Sequence, residues 1–505
     1  MSTASRVIKN TGYLYAKMGI TSIISLVTTR LILNSLGQED FGIYNVVGGA
    51  IAMLGFVNAS MASATQRFLN YSEGEGNLEK QKSIFNVSLV LHGGIAAFML
   101  IILLVSGLLF FNGVLNIPDE RVNAAKIVYL CLVFSTTVTI CSAPFDAILT
   151  SHENMRFYAL VGVIESVLKL VIALACVFTC FDKLVVYGIL MALVPMVSLI
   201  IMLVYCFQHY QECVMMPKRY FSKEYLKEMG GFAGWNFLGT SSTMVCNYGQ
   251  NILVNHFFGV ILNAAVGVVS QLTGLTMVFT NSMTKAITPV IVKKAGSQED
   301  ESMLKLSCSA CRFSFVLLAF LAIPLCFETN YILKLWLKQV PEWTVLFVQL
   351  QMVRTLLEQV TIGFNTTLAA SGNVRELNIQ TTIIFTASFI LLAILYKFYF
   401  PPYVLYVVMI IAVLLQSVLK ILLCRKYTTL SIKVFFTEVL APVFVLTIVM
   451  SLGAIIPTLL FSESFLRLVI TCLLCWALLL VSLWVFFLRA DEKATIRDIV
   501  TMKKK

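Results

Sequence analysis

Long apolar runs separated by short polar connections dominate the chain. Fourteen runs are read, near 12–33, 41–69, 84–111, 123–149, 157–180, 184–207, 230–254, 261–290, 304–327, 345–369, 377–398, 403–424, 435–457 and 465–488. Each is about as long as the roughly 20 residues a helix needs to cross a bilayer. Polar residues inside the runs recur at steps of three and four, the period of one helical face, and not at the alternation of a strand. The pattern predicts an all-α polytopic membrane protein with about 14 transmembrane helices.

The runs repeat. Gly37 set against Gly259, 222 positions on, brings Gly12 to Gly234, Leu31 to Leu253, Asn58-Ala-Ser-Met61 to Thr280-Asn-Ser-Met283 and Gly74 to Gly296. A second block matches 219 positions on: Phe145-Asp-Ala-Ile-Leu149 with Phe364-Asn-Thr-Thr-Leu368, then Asn154-Met-Arg156 with Asn373-Val-Arg375. A duplicated apolar chain implies two six-helix lobes related by a pseudo-twofold along the membrane normal, facing a central site, plus two C-terminal helices. The expected division is an N-lobe over 1–210, a linker over 211–229, a C-lobe over 230–424, and spans 13 and 14 with a basic tail over 425–505.

Composition agrees. Hydrophobic residues make up 59% and charged residues 12%, against about 25% charged in soluble domains, and the mean hydropathy is +0.87. The net charge of +11 is a topology signal: about 26 of the Lys and Arg residues fall on one set of connections and the tails, which places both termini in the cytoplasm. Lys17 and Lys420 are counted in that set. Nucleic-acid binding is not needed to explain the charge. The first run lacks a small-residue cleavage site and reads as span 1 rather than a signal peptide.

The longest connection, about residues 208–229, is too short for a catalytic domain. No phosphate-binding loop, nucleophile elbow, metalloprotease or dinucleotide motif appears. Cys308-x-x-Cys311 and Cys472-x-x-Cys475 lie inside apolar runs without further ligand spacing, and read as small buried hydrophobes. The chain reads as one that moves a substrate, not one that converts it.

Polar groups at membrane depth mark the candidate cavity wall. Span 7 carries Asn236, Thr240, Thr243, Asn247 and Gln250 on one face, and Thr21, Ser25 and Thr28 answer the last three in span 1. Span 8 carries Ser270, Gly274, Asn281, Lys285 and Thr288. Close helix packing is the alternative reading of these small polar residues, and it suits Asn247, Gln250 and Asn281 least. Span 10 carries Gln351, Arg354, Glu358, Thr361 and Asn365, whose span 4 counterparts are Leu132, Ser135, Thr139, Ser142 and Asp146. Glu165 and Lys169 stand one turn apart in span 5. Each charged pair reads either as a cavity wall or as an ion pair stitching helices. Arg30 and Arg312, nearer span ends, read as candidates for headgroup contact through snorkelling.

Three passages carry a family resemblance. They are Arg30-x-x-Leu33-x-x-Leu36-Gly37-x-x-x-Phe41-Gly42-Ile43-Tyr44, Ala64-Thr-Gln-Arg67-Phe68, and Pro144-Phe-x-Ala147 continuing to His152-Glu153-x-Met155-x-x-Tyr158. In order and spacing they resemble Wzx-type polysaccharide flippases of the multidrug/oligosaccharidyl-lipid/polysaccharide superfamily, across spans 1–12. The resemblance implies a MATE-like fold and an undecaprenyl-pyrophosphate-linked oligosaccharide as cargo. That cargo would be moved to the outer leaflet of a bacterial inner membrane for O-antigen, capsule or exopolysaccharide. Arg30, Lys285, Arg312 and Arg354 become candidates for the pyrophosphate, and a polysaccharide polymerase and chain-length regulator become expected pathway partners. No cofactor is implied, and H⁺ or Na⁺ coupling stays open. The rival within the superfamily is a cation-coupled drug exporter, which needs a membrane acid early in the first lobe; span 1 has none, although Glu165 could substitute. A scaffold or enzyme of lipid-linked glycan synthesis is the third reading.

Overall fold

The computed structural model describes residues 3–52, 55–111, 117–337, 340–490 and 492–494. The basic tail ending in Lys505 lies outside them. Among the described residues every regular element is helical: α1 (Thr3–Ala52), α2 (Gly55–Glu75), α3 (Leu78–Leu109), α4 (Val122–Ser151), α5 (Met155–Phe178), α6 (Lys183–His209), α7 (Pro217–Tyr220), α8 (Lys223–Phe258), α9 (Val260–Gly296), α10 (Asp300–Leu337), α11 (Thr344–Gln359), α12 (Ile362–Ala370), α13 (Val374–Lys397), α14 (Val404–Tyr427), α15 (Ile432–Phe435), α16 (Ala441–Leu460) and α17 (Phe465–Ser482).

Local chemistry sets the boundaries. Asn77, Asn154, Asp182 and Ser464 precede α3, α5, α6 and α17, and each accepts a hydrogen bond from a backbone N–H of the first turn. Side-chain oxygens at this position satisfy donors that the helix cannot. Among the described residues eleven helical segments are long and apolar enough to cross a membrane, so the chain is a multi-pass membrane protein. Of the other three expected spans, 230–254 carries more polar residues and 345–369 is broken between two helices, while 41–69 lies only partly within the described residues.

The duplication is written in the backbone. Gly37 (φ 80°, ψ 173°) bends α1, and Gly259 (φ 84°, ψ −177°) separates α8 from α9 in the same conformation. Gly76 (φ 69°) answers Gln298 (φ 60°) at the same 222-residue offset, and Glu153 (φ 54°) answers Gly372 (φ 82°) at 219. A positive φ is rare without glycine, so three such pairs at the offsets of the sequence match are strong evidence for repeated turns.

The helices form two compact units. One comprises Lys9–Phe237, the other Met1–Ile8 with Leu238–Lys505. In the first, α4 packs most extensively on α6 and on α3. Val47, Leu103, Val128, Val133 and Leu184 form its core, and the Tyr129 hydroxyl donates to the Leu103 carbonyl at 2.6 Å. In the second, α10 is the central helix: 61% of its most apolar stretch is buried, against 17–44% for the other long apolar spans outside α1. It packs on α9, α11, α12, α16 and α17. Cys308, Cys311 and Cys475 are buried free thiols.

Spans 13 and 14 are tied to that central helix. Glu328 of α10, fully buried, accepts from Arg467 Nη2 at 2.8 Å and Nε at 3.0 Å, and from Thr471 Oγ1 at 3.0 Å. The Trp476 ring stacks on Phe320, and its Nε1 donates to the Phe320 carbonyl at 3.0 Å.

Candidate functional site

The first unit holds a partly open cavity of about 150 Å³ with polar and apolar walls. Helix α1 contributes Lys17; α4 contributes Thr139, Ser142 and Asp146; α5 contributes Tyr158, Val161, Gly162 and Glu165; α6 contributes Pro195, Ser198 and Met202. Pro144 in α4 and Pro195 in α6 each remove a helix donor, freeing a carbonyl one turn earlier. Gly162 makes room for Lys17, since a Cβ there would collide with Lys17 Cε and Nζ. The Lys17 ammonium rests 4.2 Å from the centre of the Tyr158 ring, a cation–π contact. Among the described residues, neither the Lys17 ammonium nor the Ser198 hydroxyl has a hydrogen-bond partner, and Lys17 has no ion pair.

Glu165 and Lys169 form an ion pair at 2.6 Å, each about a third exposed. The spacing in the sequence did bring these two together. Of the pair, Glu165 also lines the cavity.

In the second unit, span 10 is not one helix. It breaks at Val360 and Thr361, between α11 and α12. Gly363 N–H turns to Cys311 Sγ at 3.3 Å instead of a helix carbonyl. Arg354 and Glu358 lie in the turns just before the break but do not pair. Arg354 Nη1 donates to Gln351 Oε1 at 3.4 Å, and its buried Nε has no partner among the described residues. Glu358 instead lies within electrostatic reach of Lys420 on α14. Lys420 is only 3% exposed. It is an intramembrane charge, not the loop charge that counting Lys and Arg residues implies. Lys17 likewise stands within a helix and not in a connection, because α1 is helical from Thr3 onward.

The other expected wall residues differ in exposure and bonding. Asn247 and Asn281 are exposed and Lys285 is half-buried, while Gln250 is buried and donates to Met409 Sδ at 3.1 Å. Thr243 spends its hydroxyl on the Gly239 carbonyl. Arg30 is exposed on α1. Arg312 does not snorkel outward: it is 2% exposed and donates to Glu492 at 2.5 Å, with Phe487 packed on its guanidinium.

The arrangement offers ammonium, hydroxyl and carboxylate groups inside a membrane bundle, suited to hydrogen-bonding a polar ligand. Sequence reasoning saw Thr139, Ser142 and Asp146 only as echoes of span 10, and it missed Tyr158, Gly162 and Ser198 as lining residues. The three-and-four spacing in span 4 was the available signal. Only contacts between α1, α4, α5 and α6 bring the set together.

A family model described as "Polysaccharide biosynthesis protein" matches residues 7–295, more than half of the chain. No curated protein matches. Among solved structures, an outward-facing multidrug resistance MATE family transporter of the MOP superfamily aligns with a TM-score of 0.72 at 16% identity. A MOP superfamily transporter from Pyrococcus furiosus, described as having a binding pocket of reverse polarity, aligns at 0.70 and 15%. A Vibrio cholerae MATE transporter in the bent form aligns at 0.68 and 16%. Each alignment covers 84% of this chain and 96% of the other. At such identities the likeness establishes the fold, a MATE-like all-helical architecture.

Proposed function

Because this chain belongs to the polysaccharide biosynthesis protein family and has the fold of MOP-superfamily transporters, we propose that it is a flippase for lipid-linked oligosaccharides. The family match over residues 7–295 is the observation that carries this reading. The cargo is an undecaprenyl-pyrophosphate-linked repeat unit, moved from the cytoplasmic to the periplasmic leaflet of a bacterial inner membrane. Its destination is a surface polysaccharide.

The physical demands of that cargo match polar and charged groups of this chain. A glycan needs hydrogen-bonding groups along its path, and a pyrophosphate needs cations whose desolvation is already met by the fold. Arg354, with its unpaired Nε, is the strongest cation of the expected set. Arg312 leaves that set because Glu492 neutralises it. Glu165, Lys169 and Glu358 remain as charged wall residues.

Deletion of the gene tests the reading. Lipid-linked repeat units should accumulate on the cytoplasmic leaflet, with loss of surface polysaccharide. Unchanged polysaccharide together with lost drug resistance would favour an exporter. Direction follows from orientation, which Lys and Arg placement assigns. In a cysteine-free variant, a cysteine at Lys223 should be shielded from an impermeant thiol reagent in spheroplasts, and one at Lys183 labelled. The reverse pattern would reverse the assigned direction.

A further inference from the structure

We propose that the cavity in the first unit is a subsite for a single sugar ring, held through its hydroxyl groups. This deepens the flippase reading and rests on it for the source of the sugar. Size is the first argument. A cavity of about 150 Å³ that is open on one side has room for a single ring whose substituents extend through the opening; an enclosed cavity of that size takes one benzene. Drug-sized ligands need about 300 Å³ or more.

Chemistry is the second argument. The walls present an ammonium, several hydroxyls and two carboxylates. Ring hydroxyls both donate and accept, so one sugar can accept from Lys17 and Ser198 while donating to Glu165 or Asp146. A metal ion is disfavoured, because Lys17 and Lys169 stand among the acids and no metal-ligating cluster exists among the described residues. A ligand carrying a full negative charge would meet the two carboxylates as well as the amines. The hydroxyl-rich neutral ring fits both signs.

The second unit supplies the third argument. The positions 219 residues after Ser142 and Ser198 are Thr361 and Ser417, whose hydroxyls bond each other at 3.1 Å. The counterparts of Lys17, Tyr158 and Glu165 are Gly239, Leu377 and Ile384. The duplicated fold therefore does not require a cavity here; the residues of the first copy hold it open.

The test uses the full-length protein in lipid nanodiscs and saturation-transfer NMR with three small probes: methyl glucoside, methyl glucuronide and the zwitterion serine. Methyl glucoside should receive saturation, and the signal should fall about tenfold in Lys17→Met, the effect of losing a hydrogen bond to a charged group. Gly162→Ala keeps every charge but displaces Lys17, and should lose the signal to a similar degree. Ser198→Val, close in volume, provides a further variant should Lys17→Met not accumulate. Absence of glucoside saturation, equal saturation in all variants, or preference for serine or the glucuronide would each overturn the proposal. The cargo reading fails separately: sugar binding through Lys17 with normal polysaccharide in the deletion strain removes the flippase and leaves the subsite. Lost polysaccharide without sugar saturation does the reverse.

Discussion

The two copies share a backbone plan and differ in what fills it. The bends at Gly37 and Gly259 and the turns at Glu153 and Gly372 coincide in conformation. Yet Ser142 and Ser198 line a cavity in the first copy, whereas their equivalents Thr361 and Ser417 in the second bond each other. The helices differ as well. Helix α4 runs unbroken through Pro144, whereas its counterpart breaks before Gly363, which lies against the Ser307 carbonyl. A repeat conserves turns because few residues tolerate them. Side chains along the helices are free to diverge, so equivalent hydroxyls face a cavity in one copy and each other in the second.

Four experiments test the contrast between the copies. The largest effect is expected at Glu328, whose equivalent in the first copy is Ser106. Glu328→Ala leaves Arg467 buried without its carboxylate, a loss of about 3–5 kcal/mol. Ser106 bonds only the Ile102 carbonyl in its own helix, so Ser106→Ala should leave stability within about 0.5 kcal/mol. Thermal unfolding in detergent measures both, and equal shifts would mean that α10 is not specially tied to spans 13 and 14.

Next come the glycines. A Cβ at Gly363 meets the backbone oxygen of Ser307, so Gly363→Ala should destabilise by about 1–3 kcal/mol through overpacking. At Gly162 it meets only the flexible end of Lys17, and unfolding should move little. If Gly162→Ala proves as damaging, Lys17 is held more rigidly than its single ring contact indicates.

Smaller again is the hydroxyl pair. Thr361→Val removes the bond to Ser417 at a cost of about 1 kcal/mol. Ser142→Ala should cost less, because Ser142 bonds only the Thr139 carbonyl of its own helix and otherwise faces the cavity. A larger loss at Ser142 would argue that the cavity polar groups are already tightly bonded.

The smallest effect concerns a clasp found in the first copy alone. Arg121 donates to Asp40 at 2.5 Å and to Asp182 at 2.6 Å, whereas the equivalent positions are Leu262, Val340 and Pro401. The Arg121 hydrogen bond holds the Asp182 carboxyl below its ordinary value of 3.8. A lowered carboxyl contributes stability that is fully present above the unfolded value and lost as pH falls through the folded one. Asp182→Ala should therefore lower the melting temperature slightly at pH 7, with the gap to wild type closing below about pH 4. Exposure limits the ionic part to about 1 kcal/mol or less. A gap that persists at low pH would assign the effect to the helix cap at Leu184 and Val185 instead.

How much was legible in the sequence varies with the range of the interaction. Apolar runs of bilayer length and the Gly37–Gly259 offset led to the all-helical, duplicated architecture, because solvation and positive φ act on single segments. Glu165 and Lys169 were also legible, being one turn apart on one helix. The same rule failed for Arg354 and Glu358, since the helix ends at Gln359 and Glu358 lies near Lys420 instead. Span 10 gave no warning of its break: the nearest glycine is Gly363, and its role depends on Ser307 and Cys311 from α10.

Many membrane crossings, a duplicated plan and polar groups at membrane depth are all readable from the amino-acid order. Those properties follow from the hydrophobicity, length and backbone freedom of local segments. Which polar groups meet is set by how the helices pack. Lys17, Ser142, Glu165 and Ser198 come from four helices and share one cavity, while Gln250 and Arg312 are consumed by Met409 and Glu492. Whether a polar side chain lines a cavity or is satisfied within the bundle depends on the facing helix, and helical period within one segment does not specify that neighbour.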